Sequence, residues 1–155
     1  MALGPSVRLV ELPGVLAAVA PGERMTVTVS GDSMLPALRA GDVLVLLRCG
    51  ADVLRLGDLA VVDLPGAGLV VHRVLWVGGA CVRTRGDGSG RMDPPIPHER
   101  VLGRVVSARR GGHEVLPGPL GRLVAWSRAF AAAALRHARR RIELAFERMR
   151  GERAS

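Results

Sequence analysis

The sequence predicts a mainly β protein, a compact antiparallel β domain followed by one C-terminal amphipathic α-helix. Three observations lead there. Nineteen of the 20 glycines and all 10 prolines punctuate the first 121 residues, and none falls within residues 122–150. Short β-branched runs recur between those turn signals without helical periodicity, the pattern of a sandwich or barrel-like sheet. From Leu120 onward the apolar spacing changes to three- and four-residue steps.

Taken in order, "MTVTVSG" (25–31) alternates and reads as a strand ending at a turn. "SMLPALRAG" then fits a short helical turn beginning near Ser33. The runs "DVLVLLR" (42–48), "DLAVVDL" (58–64), "GLVVHRVLWV" (68–77), "ACVRTR" (80–85) and "RVLGRVVSARR" (100–110) read as strands. The stretches "LGD", "PGAG", "VGGA", "GDGSG", "DPPIP" and "RGG" between them are turn chemistry. The tail stripe Leu120, Val124, Ala131, Leu135, Ala138, Ile142, Ala145 and Met149 predicts an amphipathic helix, with arginines mostly on its other faces. Its longest apolar stretch, "AFAAAAL", is too short to span a bilayer. The chain therefore divides into a β domain over 1–117 and a basic helix over 118–150.

Composition narrows the function classes. Hydrophobic residues make up 48% of the 155-residue chain, which excludes global disorder and gives one domain a real core. Aromatics are 3% and tyrosine is absent, so Val, Leu and Ala must fill that core. The net charge of +8 lies largely after residue 121. Without aromatic platforms it does not read as a nucleic-acid surface, and an anionic membrane surface is the expected partner of the tail. Cys49 and Cys81 stand apart and read as free thiols in a reducing compartment. His72, His98, His113 and His137 are scattered, so no metal site and no cofactor is expected. The N-terminal segment has neither a signal-peptide pattern nor a membrane span. The expected location is cytoplasmic or peripheral at a membrane.

One constellation carries chemistry. A nucleophilic serine needs an exposed hydroxyl, a base in reach, a group to orient that base, and donors for the oxyanion. Ser33 follows Gly31 at the end of a strand, His72 lies inside a β-run, and "TRGDGSGRMD" supplies Asp87 and Asp93. Serine, histidine and aspartate thus occur in that chain order. Together, "SGDSMLPALRAGD", "VVHRVL", "TRGDGSGRMD" and "VLGRVV" resemble the signal peptidase I and LexA-like serine peptidase superfamily over about residues 25–110. With His72 where the bacterial branch and the LexA-like repressors use lysine, the resemblance is nearest to the endoplasmic-reticulum and archaeal type of signal peptidase.

The resemblance implies Ser33 as nucleophile, His72 as general base and Asp93 as the third triad member. It implies site-shaping roles around the nucleophile for Gly31, Asp32, Met34 and Pro36, and structural support from Asp42 and Asp87. The implied activity is a serine endopeptidase acting on an extended peptide or protein after small residues. Two departures accompany it. Gly31 stands where bacterial signal peptidases carry a serine that helps the oxyanion hole, which leaves backbone amides as donors, the Ser33 N–H first. The tail helix stands in place of a transmembrane anchor. A side chain at position 31 is expected to crowd the oxyanion site. Two alternatives remain: a non-catalytic binding module on the same fold, and a LexA-like domain that cuts itself. The self-cleaving reading lacks a helix-turn-helix, and its candidate dipeptides, Ala40-Gly41 and Cys49-Gly50, fall in the core strands.

Overall fold

The computed structural model describes residues 7–8, 18–118, 121–128, 130, 131, 135 and 139. They form a curled antiparallel sheet, a half-barrel, with one C-terminal helix. The strands are β1 (Val7–Arg8), β2 (Arg24–Thr28), β3 (Val43–Arg48), β4 (Leu59–Leu64), β5 (Gly68–Val77), β6 (Cys81–Arg85), β7 (Ile96–Pro97), β8 (Val101–Arg110) and β9 (His113–Glu114). They are arranged in the order β1-β2-β3-β8-β4-β5-β6-β7, with β9 also paired to β8. All pairs are antiparallel except β1 with β2. The helix, α1, is helical at 121–128 and at 130, 131, 135 and 139.

Burial explains why the apolar runs differ in texture. Along β4, Leu59 and Val61 enter one core cluster, with Val27, Leu44, Leu46 and Val71, while Ala60, Val62 and Leu64 enter a second, with Val74, Val82 and Ile96. A strand covered on both faces needs a continuous apolar run, and "LAVV" is one. Each fully buried valine or leucine contributes about 1.5–3 kcal/mol relative to exposure. Strand β2 keeps its alternation because its other positions are only half-buried.

Asp42, immediately before β3, is buried. Its carboxylate accepts two hydrogen bonds from Arg110 of β8, each 2.8 Å, and one from the Arg39 N–H at 2.8 Å. The Arg110 guanidinium, reinforced by the Arg39 amide, holds the carboxyl below its ordinary range against the opposing pull of burial. Its place is structural: it ties the Ser33 turn to the strand at the centre of the sheet.

The helix docks by a different face from the one its aliphatic spacing suggests. Val124, Ala131 and Leu135 are exposed, and Leu120, Ala138, Ile142, Ala145 and Met149 lie outside the described residues. The docked side is Arg122 and Trp126. Arg122 Nη1 donates to Asp58 Oδ1 at 2.8 Å, and the Trp126 indole N–H donates to the Leu75 carbonyl at 3.0 Å. Trp126 also stacks on Phe130 with ring centroids 5.5 Å apart. Two directed polar contacts and the largest ring in the segment decide the orientation over a stripe of small aliphatics.

Ala40-Gly41 and Cys49-Gly50 flank β3 rather than lying inside it. Both cysteines are free. Burial pushes the Cys49 thiol up, disfavouring the reactive thiolate.

Candidate active site

Three separate elements deliver the chemistry. Beyond β2 the chain leaves the sheet through Val29, returns its carbonyl to the Gly41 N–H at 2.8 Å, and turns over residues 32–38. Within that turn the Leu35 N–H bonds the Asp32 carbonyl and the Leu38 N–H bonds the Met34 carbonyl, each at 3.0 Å, so the segment is a series of hydrogen-bonded turns where the sequence suggests a helical turn. Met34 and Leu38 anchor it in the core, while Asp32, Ser33 and Pro36 are left exposed. The buried pair fixes the turn, and Ser33 is held out of the core by its neighbours.

His72 comes from the middle of β5, 6% exposed. Its Nε2 lies 3.2 Å from Ser33 Oγ, and its Nδ1 lies 2.6 Å from Asp93 Oδ2. Asp93 is set at the far end of the glycine-rich loop, where its N–H bonds the Thr84 carbonyl at 2.9 Å. The wholly buried Thr84 hydroxyl donates to the same Asp93 oxygen at 2.6 Å. With the proton on Nδ1 directed at Asp93, Nε2 keeps its lone pair toward Ser33, the orientation a base needs. The structure thus brings Ser33, His72 and Asp93 into one line.

Asp87 takes no part in that line. It faces Arg73, receiving Nε at 2.7 Å and Nη2 at 2.5 Å, while Arg73 Nη1 reaches the Gly57 carbonyl at 2.9 Å. Arg73 is almost fully buried, so this bidentate pair fixes the loop against β5. The loop then touches the nucleophile's own backbone: the Gly88 N–H donates to the Ser33 carbonyl at 2.9 Å. The Ser33 N–H has no hydrogen-bond partner among the described residues.

Beside Ser33 opens a cleft of about 320 Å³, walled by Val29, Gly31, Met34, Leu38, Leu69 and Val71 among others. Strand β5 borders it. Between Gly68 and His72 that strand pairs with β4 on one edge, and its pairing with β6 begins only at Arg73. Among the described residues, the other edge of β5 between Gly68 and His72 has no strand partner. Among the described residues, no group of three or more His, Cys, Asp or Glu is placed to hold a metal ion.

A Cβ on Gly31 would meet no protein atom within 4 Å, so the turn itself has room for a side chain there. The crowded glycine is Gly86, where a Cβ would stand 2.5 Å from the Ser33 carbonyl oxygen and 3.1 Å from His72 Nε2. Gly31→Ala should accordingly fold and retain its melting temperature, whereas Gly86→Ala should push the Ser33 turn away from the imidazole. Thermal melts and Ser33 reactivity of both variants check this, and equal behaviour of the two would contradict it.

Thr84, Arg73, Gly86 and Gly88 had no assigned role in the sequence. Only Thr84 carried a signal, as a lone small polar residue two before Gly86 in an otherwise β-run. No family model, curated protein or solved structure matches this chain.

Proposed function

We propose that the protein is a serine endopeptidase of the signal peptidase type. The single observation that supports this reading is the line from exposed Ser33 Oγ through His72 to Asp93, at 3.2 and 2.6 Å, drawn from positions 39 and 21 residues apart. In the proposed reaction Ser33 Oγ attacks the peptide carbonyl carbon and its proton passes to His72 Nε2. The tetrahedral oxyanion is met by the Ser33 N–H. Collapse breaks the C–N bond, and His72 returns the proton to the leaving amine, which leaves an acyl-Ser33. Water, deprotonated by His72, then releases the acid and regenerates the serine.

The substrate would extend along the unpaired edge of β5 at Leu69–Val71, adding a strand to the sheet. The adjoining cleft would take apolar side chains near the cut, and the preference for short ones comes from the family resemblance. A serine-reactive acylating inhibitor should therefore add one acyl group to the peptide containing Ser33, detected by mass spectrometry. A folded chain that stays unlabelled would favour a binding module on the same scaffold. The self-cleaving alternative gains no support, because both candidate dipeptides bound β3 in the core ribbon.

The tail supports a peripheral attachment to anionic lipid. Residues 121–155 hold nine arginines against three glutamates, +6 of the chain's +8. Leu123, Val124, Phe130 and Leu135 are exposed, as is Trp76 beside the docking point at Leu75. Each arginine near an anionic surface contributes about 1 kcal/mol. Among the described residues no helix is long and apolar enough to cross a membrane. The full chain should float with phosphatidylserine-containing vesicles at low salt, be released as salt rises, and ignore phosphatidylcholine vesicles. Remaining in the soluble fraction at low salt would assign the helix to a protein interface instead.

A further inference from the structure

The root of α1 and the Ser33 turn are connected by an unbroken series of short contacts. Arg122 Nη1 bonds Asp58 Oδ1 at 2.8 Å, and Asp58 is buried. The preceding residue, Gly57, sits at φ +84°, and a Cβ there would meet the Arg122 carbonyl at 2.7 Å and Trp126 Cβ at 3.3 Å. The helix therefore rests on that turn with no room between. The Gly57 carbonyl accepts Arg73 Nη1 at 2.9 Å, and Arg73 forks Asp87. The loop holding Asp87 then bonds the Ser33 carbonyl through the Gly88 N–H at 2.9 Å and presses Gly86 against it. Asp58, Arg73 and Arg122 also share the wall of one cleft of about 360 Å³.

We infer that the docked helix root is a positioning element of the site, with Arg122 as the residue through which it acts. The placement of Arg122 argues for a tertiary role. A cation in the first turn of a helix opposes the macrodipole, so local helix energetics disfavour it there. The Asp58 carboxylate reverses that penalty only while the helix sits on the Gly57 turn. Undocking would uncover the Cα face of Gly57, loosen the turn whose carbonyl anchors Arg73, and let the Asp87 loop drift from the Ser33 carbonyl. Neither Arg122 nor Asp58 touches Ser33 or His72, so the effect is on geometry and not on bond making.

This inference rests on the peptidase reading for its kinetic consequence but not for its structural one, and the test separates them. In the full-length protein, Arg122→Ala should speed hydrogen exchange at the Gly88 amide about tenfold while the Leu46 amide in the core is unchanged. It should lower kcat about tenfold with little change in KM, and Arg122→Lys should restore part of both. Arg128→Ala, an exposed cation further along α1, should alter neither. In an Asp87→Asn background Arg122→Ala should add little, because both act through one series of contacts. Unchanged Gly88 exchange in Arg122→Ala overturns the inference. Faster Gly88 exchange in a protein whose wild type hydrolyses no peptide upholds it and removes the peptidase reading alone.

Discussion

Replacing Ser33 with alanine is expected to lower peptide hydrolysis by about four to six orders of magnitude and leave the fold intact. The kinetic loss follows from removing the attacking oxygen, for which neither His72 nor Asp93 can substitute at the carbonyl carbon. The structural indifference follows from exposure. The hydroxyl's one described contact is the 3.2 Å approach to His72 Nε2, and the turn is held by Met34 and Leu38. Exposed substitutions of this kind stay within about 0.5 kcal/mol. Single-turnover assays beside a thermal melt decide the matter. Residual hydrolysis within tenfold of wild type would end the nucleophile assignment.

Asp93→Asn should cost about four orders of magnitude in rate. The amide keeps the carboxylate's volume, but it loses the charge that stabilises the imidazolium formed as Ser33 attacks. It also offers an N–H where His72 Nδ1 needs an acceptor, and so favours the tautomer with no lone pair toward Ser33. Asp87→Asn should behave differently. It weakens the fork to buried Arg73, destabilising the fold by about 3 kcal/mol, with a kinetic loss nearer tenfold. A well-folded but inactive Asp87→Asn beside a nearly normal Asp93→Asn would transfer the orienting role to Asp87.

What could be read in advance depended on how local the cause was. Strand β5 spans 68–77 as read, because Gly68 and the Gly78-Gly79 pair bracket an uninterrupted β-run. Strands β1, β7 and β9 were absent from that reading. Two residues show no period, and "DPPIP" reads as a turn although Pro97 is tolerated at the sheet's edge. Ser33, His72 and the pair Asp87 and Asp93 were legible from residue type and chain order, and the resemblance alone picked Asp93 of the two. Thr84, Arg73 and Gly86 were not, since their parts are set by partners 9 to 53 residues away that only folding brings near. The docking face of α1 was hidden for the same reason: Arg122 and Trp126 lie off the aliphatic stripe, and their acceptors belong to β4's approach and to β5.

The position of β8 at the centre of the sheet sets an order of events during synthesis. It pairs with β3 on one side and β4 on the other. The ribbon leading into Ser33 and the ribbon bearing His72 therefore meet along a strand that emerges after both. Until residues 101–110 leave the ribosome, β3 and β4 each lack that neighbour, and the serine and imidazole belong to two separately growing hairpins. Closing the sheet late means crossing a loop of more than fifty residues, between Arg48 and Gly103, before any long-range pairing offsets its entropy. The serine-bearing and histidine-bearing ribbons are thus unjoined until the last long strand arrives, a delay written into the strand order itself.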